Sequence, residues 1–409
     1  MQRDPGDVGL AGDAWPKRPH LAFGRHLLLD SGSIYCQSEA MHNSPKHPRA
    51  RDLGLNLPGL PGPLNAITDV PSLEVGHCTR IAGADLRTGI TAILPQGPQL
   101  SCLPAGSFAL NGNGEMTGLA WVEESGFLEG PVALTNTCSL GRVRDGVRAW
   151  LVERLGADGL LGGGLLPVVG ETWDGRLNAI EAQALTRDDV FAALDSAAAG
   201  PVPEGSVGGG TGMVAFGFKA GIGTSSRQVE IQGQTFLVGV LVQANFGARS
   251  NLSMNGLPVG HWLKDRLLPH LFHSPNKQPQ QDGSIIGVLA TNAPLLPHQL
   301  KRLARRMGLG VARTGGVAYN TSGDFFLAFS TVAPTLKKGL EQWQVLPNTQ
   351  LDSLLEAATY ATEEAILNAL CAAETMTGIH GNRVEALPRE QVRAWIAQYQ
   401  APENLNSDL

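Results

Sequence analysis

Gln280-Gln281-Asp282-Gly283-Ser284-Ile285-Ile286-Gly287-Val288-Leu289-Ala290-Thr291 is a polar run that turns into an apolar one, with a Gly-Ser pair at the joint. Upstream, Ser274-Pro275-Asn276-Lys277-Gln278-Pro279 has two prolines and no apolar side chain, the composition of an exposed, mobile loop. Downstream, Ile285 to Ala290 is apolar without alternation, which reads as a buried strand. A Gly followed by a hydroxyl residue at the mouth of a rigid strand has the chemistry of a self-cleaving bond. Gly283 leaves its carbonyl open and tolerates strained dihedrals, and Ser284 supplies the attacking oxygen. Taken alone, the same pair is also an ordinary turn.

The chain has 409 residues, 43% of them hydrophobic and 17% charged, so it buries a core and is not a disordered protein. Its 51 glycines point to many tight turns and close backbone approaches. A net charge of −6 without a long basic run excludes nucleic acid and anionic membrane as natural partners. The five cysteines form no CxxC pair, which speaks for reduced thiols and a cytoplasmic setting. No stretch reaches the roughly 18 apolar residues of a membrane span. Residues 1–55 read as a poorly ordered extension, with Met41 a candidate for the true start; one catalytic domain fills the rest.

Working outward, strands are expected at Leu73–His77, Gly89–Pro95, Val132–Thr137, Val168–Asp174, Thr235–Val242 and Phe325–Thr331. Helices are expected at Arg142–Arg154, Thr186–Ala199, Pro297–Gly308, Leu351–Thr377 and Arg389–Tyr399, with Gly378 as the C-cap of the long alanine-rich one. The basic face of Pro297–Gly308 reads as solvated. Runs of strands interrupt the βα alternation, so sheets stacked between helix layers fit better than a doubly wound parallel sheet. Val207-Gly208-Gly209-Gly210-Thr211-Gly212-Met213 lacks the Lys-Ser/Thr of a phosphate loop and reads better as a close backbone approach. The histidines have no metal spacing and there is no GxSxG elbow, so no metal or cofactor is called for. An N-terminal nucleophile needs neither. A free α-amine has a pKa of about 8, so a Ser released at a chain start is both nucleophile and base.

Asn65-Ala66-Ile67-Thr68-Asp69-Val70, Asn111-Gly112-Asn113-Gly114-Glu115-Met116-Thr117-Gly118, Leu134-Thr135-Asn136-Thr137, the glycine run at 208–213, Gln243-Ala244-Asn245-Phe246-Gly247 and Asp282-Gly283-Ser284-Ile285 together resemble the DmpA-like self-processing serine aminopeptidases. That family includes the L-aminopeptidase/D-esterases and the BapA-like β-peptidyl aminopeptidases. The resemblance implies an αββα sandwich of the DmpA type, cut at Gly283–Ser284 into a larger chain, 56–283, and a smaller one, 284–409. It implies Ser284 as nucleophile, Ser322 and Asp324 as the pair that holds and relays the proton near its amine, and Asn245 as oxyanion donor. It also implies Glu171 as the carboxylate that binds the substrate ammonium, with Trp173 beside it, and a tetramer of αβ heterodimers acting on small peptides, amides or esters.

Three positions depart from the family pattern. Trp173 stands where a Tyr is common, Asp324 is one methylene shorter than a Glu, and Cys138 stands where His is expected. The Trp leans toward the β-peptidyl branch, and Cys138 is expected to be buried packing and not a second nucleophile. Two other readings remain: an acyltransferase of the ornithine acetyltransferase-like fold, which cleaves before Thr, and a non-catalytic ligand-binding module built on the glycine run.

Overall fold

A computed structural model describes residues 34–36, 47–95, 102–159, 166–271 and 283–400. In chain order the strands are β1 (Ile34–Cys36), β2 (Leu73–Ala82), β3 (Leu86–Pro95), β4 (Cys102–Gly112), β5 (Phe127–Glu129), β6 (Val132–Asn136), β7 (Val168–Thr172), the short ribbon β8 (Val214–Ala215) and β9 (Phe218–Lys219), β10 (Ile222–Ile231), β11 (Gln234–Asn245), β12 (Ser284–Thr291) and β13 (Gly323–Ser330). The main helices are α1 (Leu119–Ser125), α2 (Leu140–Gly159), α3 (Arg187–Asp195), α4 (Val259–Trp262), α5 (Pro297–Arg313), α6 (Asp352–Ala372) and α7 (Arg389–Tyr399).

Two sheets carry the molecule. One runs β1-β2-β3-β6-β7 and the other β10-β11-β12-β13-β4-β5. Neighbours are antiparallel except β6/β7 and β12/β13, which are parallel. Three apolar layers separate four structural ones. Ile93, Leu134, Leu241, Ile286, Val288, Leu327 and Phe329 fill the space between the sheets. Val143, Val147, Trp150 and Val190 of α2 and α3 cover the outside of the first sheet. Leu300, Leu303, Met307, Ala361, Ala365 and Ile366 of α5 and α6 cover the outside of the second. The result is an αββα sandwich, as expected. The strand at 284–291 is buried on both faces, which is why its sequence shows no alternation.

Local signals explain several elements. Thr186 caps α3 by accepting from the Asp189 N–H, and the Asp189 carboxylate returns the bond to the Thr186 N–H at 2.8 Å. Pro297 opens α5, where its missing N–H costs nothing. The glycine run at 208–210 is a 3-10 turn wedged between the sheets: a Cβ on Gly209 would lie 2.1 Å from Gln243 Oε1 and one on Gly210 2.4 Å from Ile222 N. The close-approach reading of that run is therefore correct.

Some expectations need correction. Residues 47–55 are not part of a loose extension: Ala50, Leu53 and Leu55 lie in the core under α6, and Arg51 pairs with Glu364 at 2.8 Å. Earlier still, Ile34–Cys36 pairs with Arg80–Cys78 of β2. The long C-terminal helix stops at Ala372, because Ala373 turns extended and Met376–Thr377 pairs with Arg383–Val384. Gly378 does not cap that helix but opens the 3-10 turn Ile379–Gly381; a Cβ there would sit 2.0 Å from Leu177 O, so close packing requires the glycine. The helix expected to Ala199 ends at Asp195. Val152 of α2 is exposed, unlike Val143, Val147 and Leu151. Leu110 to Glu115, whose two glycines and two asparagines read as a turn cluster, is strand as far as Gly112. The Ser274–Asp282 loop lies outside the described residues. Among the described residues no helix is long and apolar enough to cross a membrane.

Candidate active site

Ser284 is the first residue of β12, in the middle of the second sheet. It pairs with Asn245, the last residue of β11, on one side and with Gly323, the first of β13, on the other. Strand alternation assigns the faces. Ser284 shares its face with Ile286, Val288 and Ala290, which point between the sheets. Asn245 shares its face with Leu241, which also points there, so the two side chains stand side by side.

The Asn245 amide is fixed from both ends. Its Oδ1 accepts from the Val214 N–H at 2.9 Å, and its Nδ2 donates to the Trp173 carbonyl at 2.9 Å. These bonds set which end of the amide is which. They leave one Nδ2 hydrogen without a partner among the described residues. The clamping segments are themselves anchored. The Met213 carbonyl, next to Val214, accepts from Lys219 Nζ at 2.9 Å, and Lys219 also donates to Ala220 O at 2.6 Å and Gly210 O at 3.3 Å. Lys219 is fully buried, and burial lowers its pKa while the charge of Asp174 opposes that. Asp174, next to Trp173, is likewise fully buried; burial raises its carboxyl, against hydrogen bonds from Asn178 and Thr88 and the charge of Lys219.

Ser322 and Asp324 flank Gly323. The Ser322 hydroxyl donates to Asp324 Oδ1 at 2.7 Å, and Oδ2 is buried with no partner among the described residues. Burial pushes the Asp324 carboxyl up to about 6, opposed by Ser322 and by the Ile285 N–H. Asp324 alternates with Phe325 and shares the helix-side face with Phe326 and Ala328. The pair therefore reaches Ser284 from its main-chain side and not from the side of its Oγ. The loop bearing Ser322 is pinned by Asn111 and Asn113. Asn111 Nδ2 donates to the carbonyls of Tyr319 (2.9 Å) and Ser322, and Asn113 Nδ2 to that of Thr321 (2.8 Å).

Glu171, near the end of β7, is 4% exposed. Its Oε1 accepts from the Glu115 N–H at 2.9 Å and its Oε2 from the Thr137 hydroxyl. Burial raises its pKa against those two bonds. Gly114 is the spacer toward Ser284: a Cβ there would lie 3.0 Å from Glu171 Oε1 and 3.4 Å from Gly323 Cα. Trp173 is 44% exposed, and it touches Asn245 through its carbonyl, not through its indole. Cys138 is half-buried instead of buried. Burial and the charges of Glu181, Asp174 and Glu171 push its thiol up, which disfavours a thiolate nucleophile.

All six residues singled out from the sequence thus gather around the start of β12. Sequence reasoning assigned no role to Lys219, Thr137, Asn111 or Asn113. The signal for Asn111, Asn113 and Thr137 was their place in the motifs quoted above, and for Lys219 a lone Lys inside the apolar run Phe216-Gly217-Phe218-Lys219-Ala220.

Residues 65–384 match peptidase family S58. The chain belongs to that family. The β-peptidyl aminopeptidase BapA of Sphingosinicella microcystinivorans is 46% identical over 375 residues, covering 87% of this chain and 93% of that protein. The BapA of Sphingosinicella xenopeptidilytica is 45% identical, covering 84% and 90%. Among solved structures, the L-aminopeptidase D-Ala-esterase/amidase from Ochrobactrum anthropi is described as a prototype for the serine aminopeptidases and a new variant among the N-terminal-nucleophile hydrolase fold. It superposes with a TM-score of 0.79 at 43% identity, covering 86% of this chain and 99% of that one. A Burkholderia β-aminopeptidase gives 0.76 at 42% identity, with the same coverage. Membership in S58 accounts for the sandwich and for the order of the motifs along the chain.

Proposed function

We propose that this S58 member is a self-processing aminopeptidase that removes the N-terminal residue from short peptides, amides or esters. Its substrates include β-amino-acid residues, the class named in its BapA relatives. Cleavage of Gly283–Ser284 releases Ser284 as an N-terminal nucleophile. Its α-amine, with a pKa of about 8, takes the proton from Oγ as the hydroxyl attacks the substrate carbonyl. Asn245 Nδ2 donates to the developing oxyanion. Ser322 and Asp324 orient the amine from the main-chain side. Glu171 binds the substrate ammonium, and Trp173 lines the entrance. The observation that carries this reading is the register of β11 and β12. It sets a side-chain amide with both its ends fixed directly beside the Ser284 side chain.

Two further features extend the reading: a cytoplasmic location, in keeping with the free thiols of Cys78, Cys102, Cys138 and Cys371, and a tetramer of heterodimers. The acyltransferase and the binding-module readings have no observation in their favour.

Glu171 supplies the test. A β-alanyl amide, its L-alanyl counterpart and the N-acetylated form of each are offered to the cleaved enzyme. Both free-amine substrates turn over and neither acetylated one does. Glu171→Gln raises KM more than tenfold, since a charge-assisted contact is worth about 1.5–3 kcal/mol. Equal turnover of acetylated and free substrates would remove Glu171 from the amine site.

A further inference from the structure

The carbonyl that Ser284 must attack during self-cleavage already has a donor. The Gly323 N–H donates to the Gly283 carbonyl oxygen at 3.2 Å, the first rung of the parallel β12/β13 ladder. The peptide unit that provides this N–H is held from its other end. Its carbonyl, Ser322 O, accepts from the Asn113 N–H at 3.2 Å and from Asn111 Nδ2. A peptide whose oxygen takes two donors is fixed in orientation, and its N–H is a stronger donor for it. The glycine is required for this approach, because a Cβ on Gly323 would lie 2.4 Å from Asn113 O.

We propose that the Gly323 main-chain N–H is the oxyanion donor of the self-cleavage step, and that Asn245 serves only the later turnover of substrate. This rests on the reading of Gly283–Ser284 as the bond that breaks. Ser284 Oγ bonds to the Gly283 carbonyl carbon, and the electron pair of the C=O moves onto the oxygen. That oxygen does not travel, so its new charge falls on the Gly323 N–H, now a charge-assisted bond. The C–N bond then breaks, and the Oγ proton ends on the departing Ser284 nitrogen, leaving an ester. Water hydrolyses the ester to a Gly283 carboxylate and the free Ser284 hydroxyl. Asn245 stands on the other side of β12. In a trans peptide the Gly283 C=O and the Ser284 N–H point in opposite directions, so a carbonyl aimed at β13 is aimed away from β11.

The clean test replaces Gly323 by glycolic acid during cell-free translation, which exchanges one N–H for an oxygen and changes no side chain. The appearance of two chains is followed by mass spectrometry. The ester chain should cleave about 10²–10³-fold more slowly than the parent, the usual cost of one oxyanion donor. Cleavage at the parent rate would overturn the proposal. Folding is checked by thermal melting of the ester chain in the Ser284→Ala background. If that chain does not fold, Asn245→Ala decides: two chains formed within a few-fold of the parent rate, with turnover lost, support separate donors, and an uncleaved chain overturns them. A parent that does not break at Gly283–Ser284 refutes the proposed function as well; a parent that breaks there while the ester chain keeps pace refutes this inference alone.

Discussion

Asp324 shows what burial does at a single residue. Its carboxyl is raised from 3.8 to about 6, chiefly by desolvation. Below 3.8 both folded and unfolded chains hold the proton. Between 3.8 and about 6 the folded chain holds it and the unfolded chain has lost it, so stability falls as pH rises through this window, and above it the full cost of the buried carboxylate is present. Denaturant melts of the Ser284→Ala chain across this range should show that fall, and Asp324→Asn should flatten it. A stability that does not depend on residue 324 in this window would contradict the assignment. Neither the raised pKa nor the partnerless Oδ2 could be read from Ser322-Gly323-Asp324, which by itself looks like a turn. The pairing that makes it the mouth of a strand comes from β12 and from β4, far away in sequence.

At the scale of elements, the strand that carries Ser284 was legible because its composition is extreme: every residue from 284 to 291 is buried, and only apolar or small side chains fit. Helix α7 was legible for a similar local reason, its amphipathic pattern matching its bounds. The end of α6 was not, since alanine propensity runs on past Ala372 and only the pairing of Met376–Thr377 with Arg383–Val384 stops it. The anchoring of Asn245 was not legible either, because Lys219 acts on main-chain carbonyls at 210, 213 and 220. Lys219→Met removes these donors while keeping the length and burial of the side chain. Gly210 O and Met213 O keep the main-chain N–H groups of Met213 and Ala220, so Ala220 O is the carbonyl left unpaired and the variant should lose about 1–3 kcal/mol of stability. In whatever cleaved enzyme folds, kcat should fall with KM little changed, because Val214 no longer holds the Asn245 amide still. A variant with lowered stability and unchanged kcat would make Lys219 a packing residue only.

For the whole molecule, the proposed break at Gly283–Ser284 has an unusual position. Strands β12 and β13 follow it and sit at the centre of the second sheet, flanked by β11 and β4, which precede it. Helix α6, also after the break, packs on β10 and β11 and meets Ala50 and Arg51 from near the start of the described chain. On that reading the larger product holds four strands of the second sheet and the smaller the two central ones, and neither has a closed core. This interleaving is also why residues 47–55 looked like a tail. Their few apolar side chains find cover on α6 and α7, helices encoded some three hundred residues later.

The central claim is that Ser284 becomes a chain start, and the most direct test is the intact mass of freshly purified protein under native and denaturing conditions, with N-terminal sequencing of the smaller product. The account predicts one species in native buffer that separates into two in denaturant, the smaller beginning Ser-Ile-Ile-Gly, and a single chain without activity for Ser284→Ala. A full-length mass that persists for days at neutral pH in an active preparation, or a break at another bond, would contradict it.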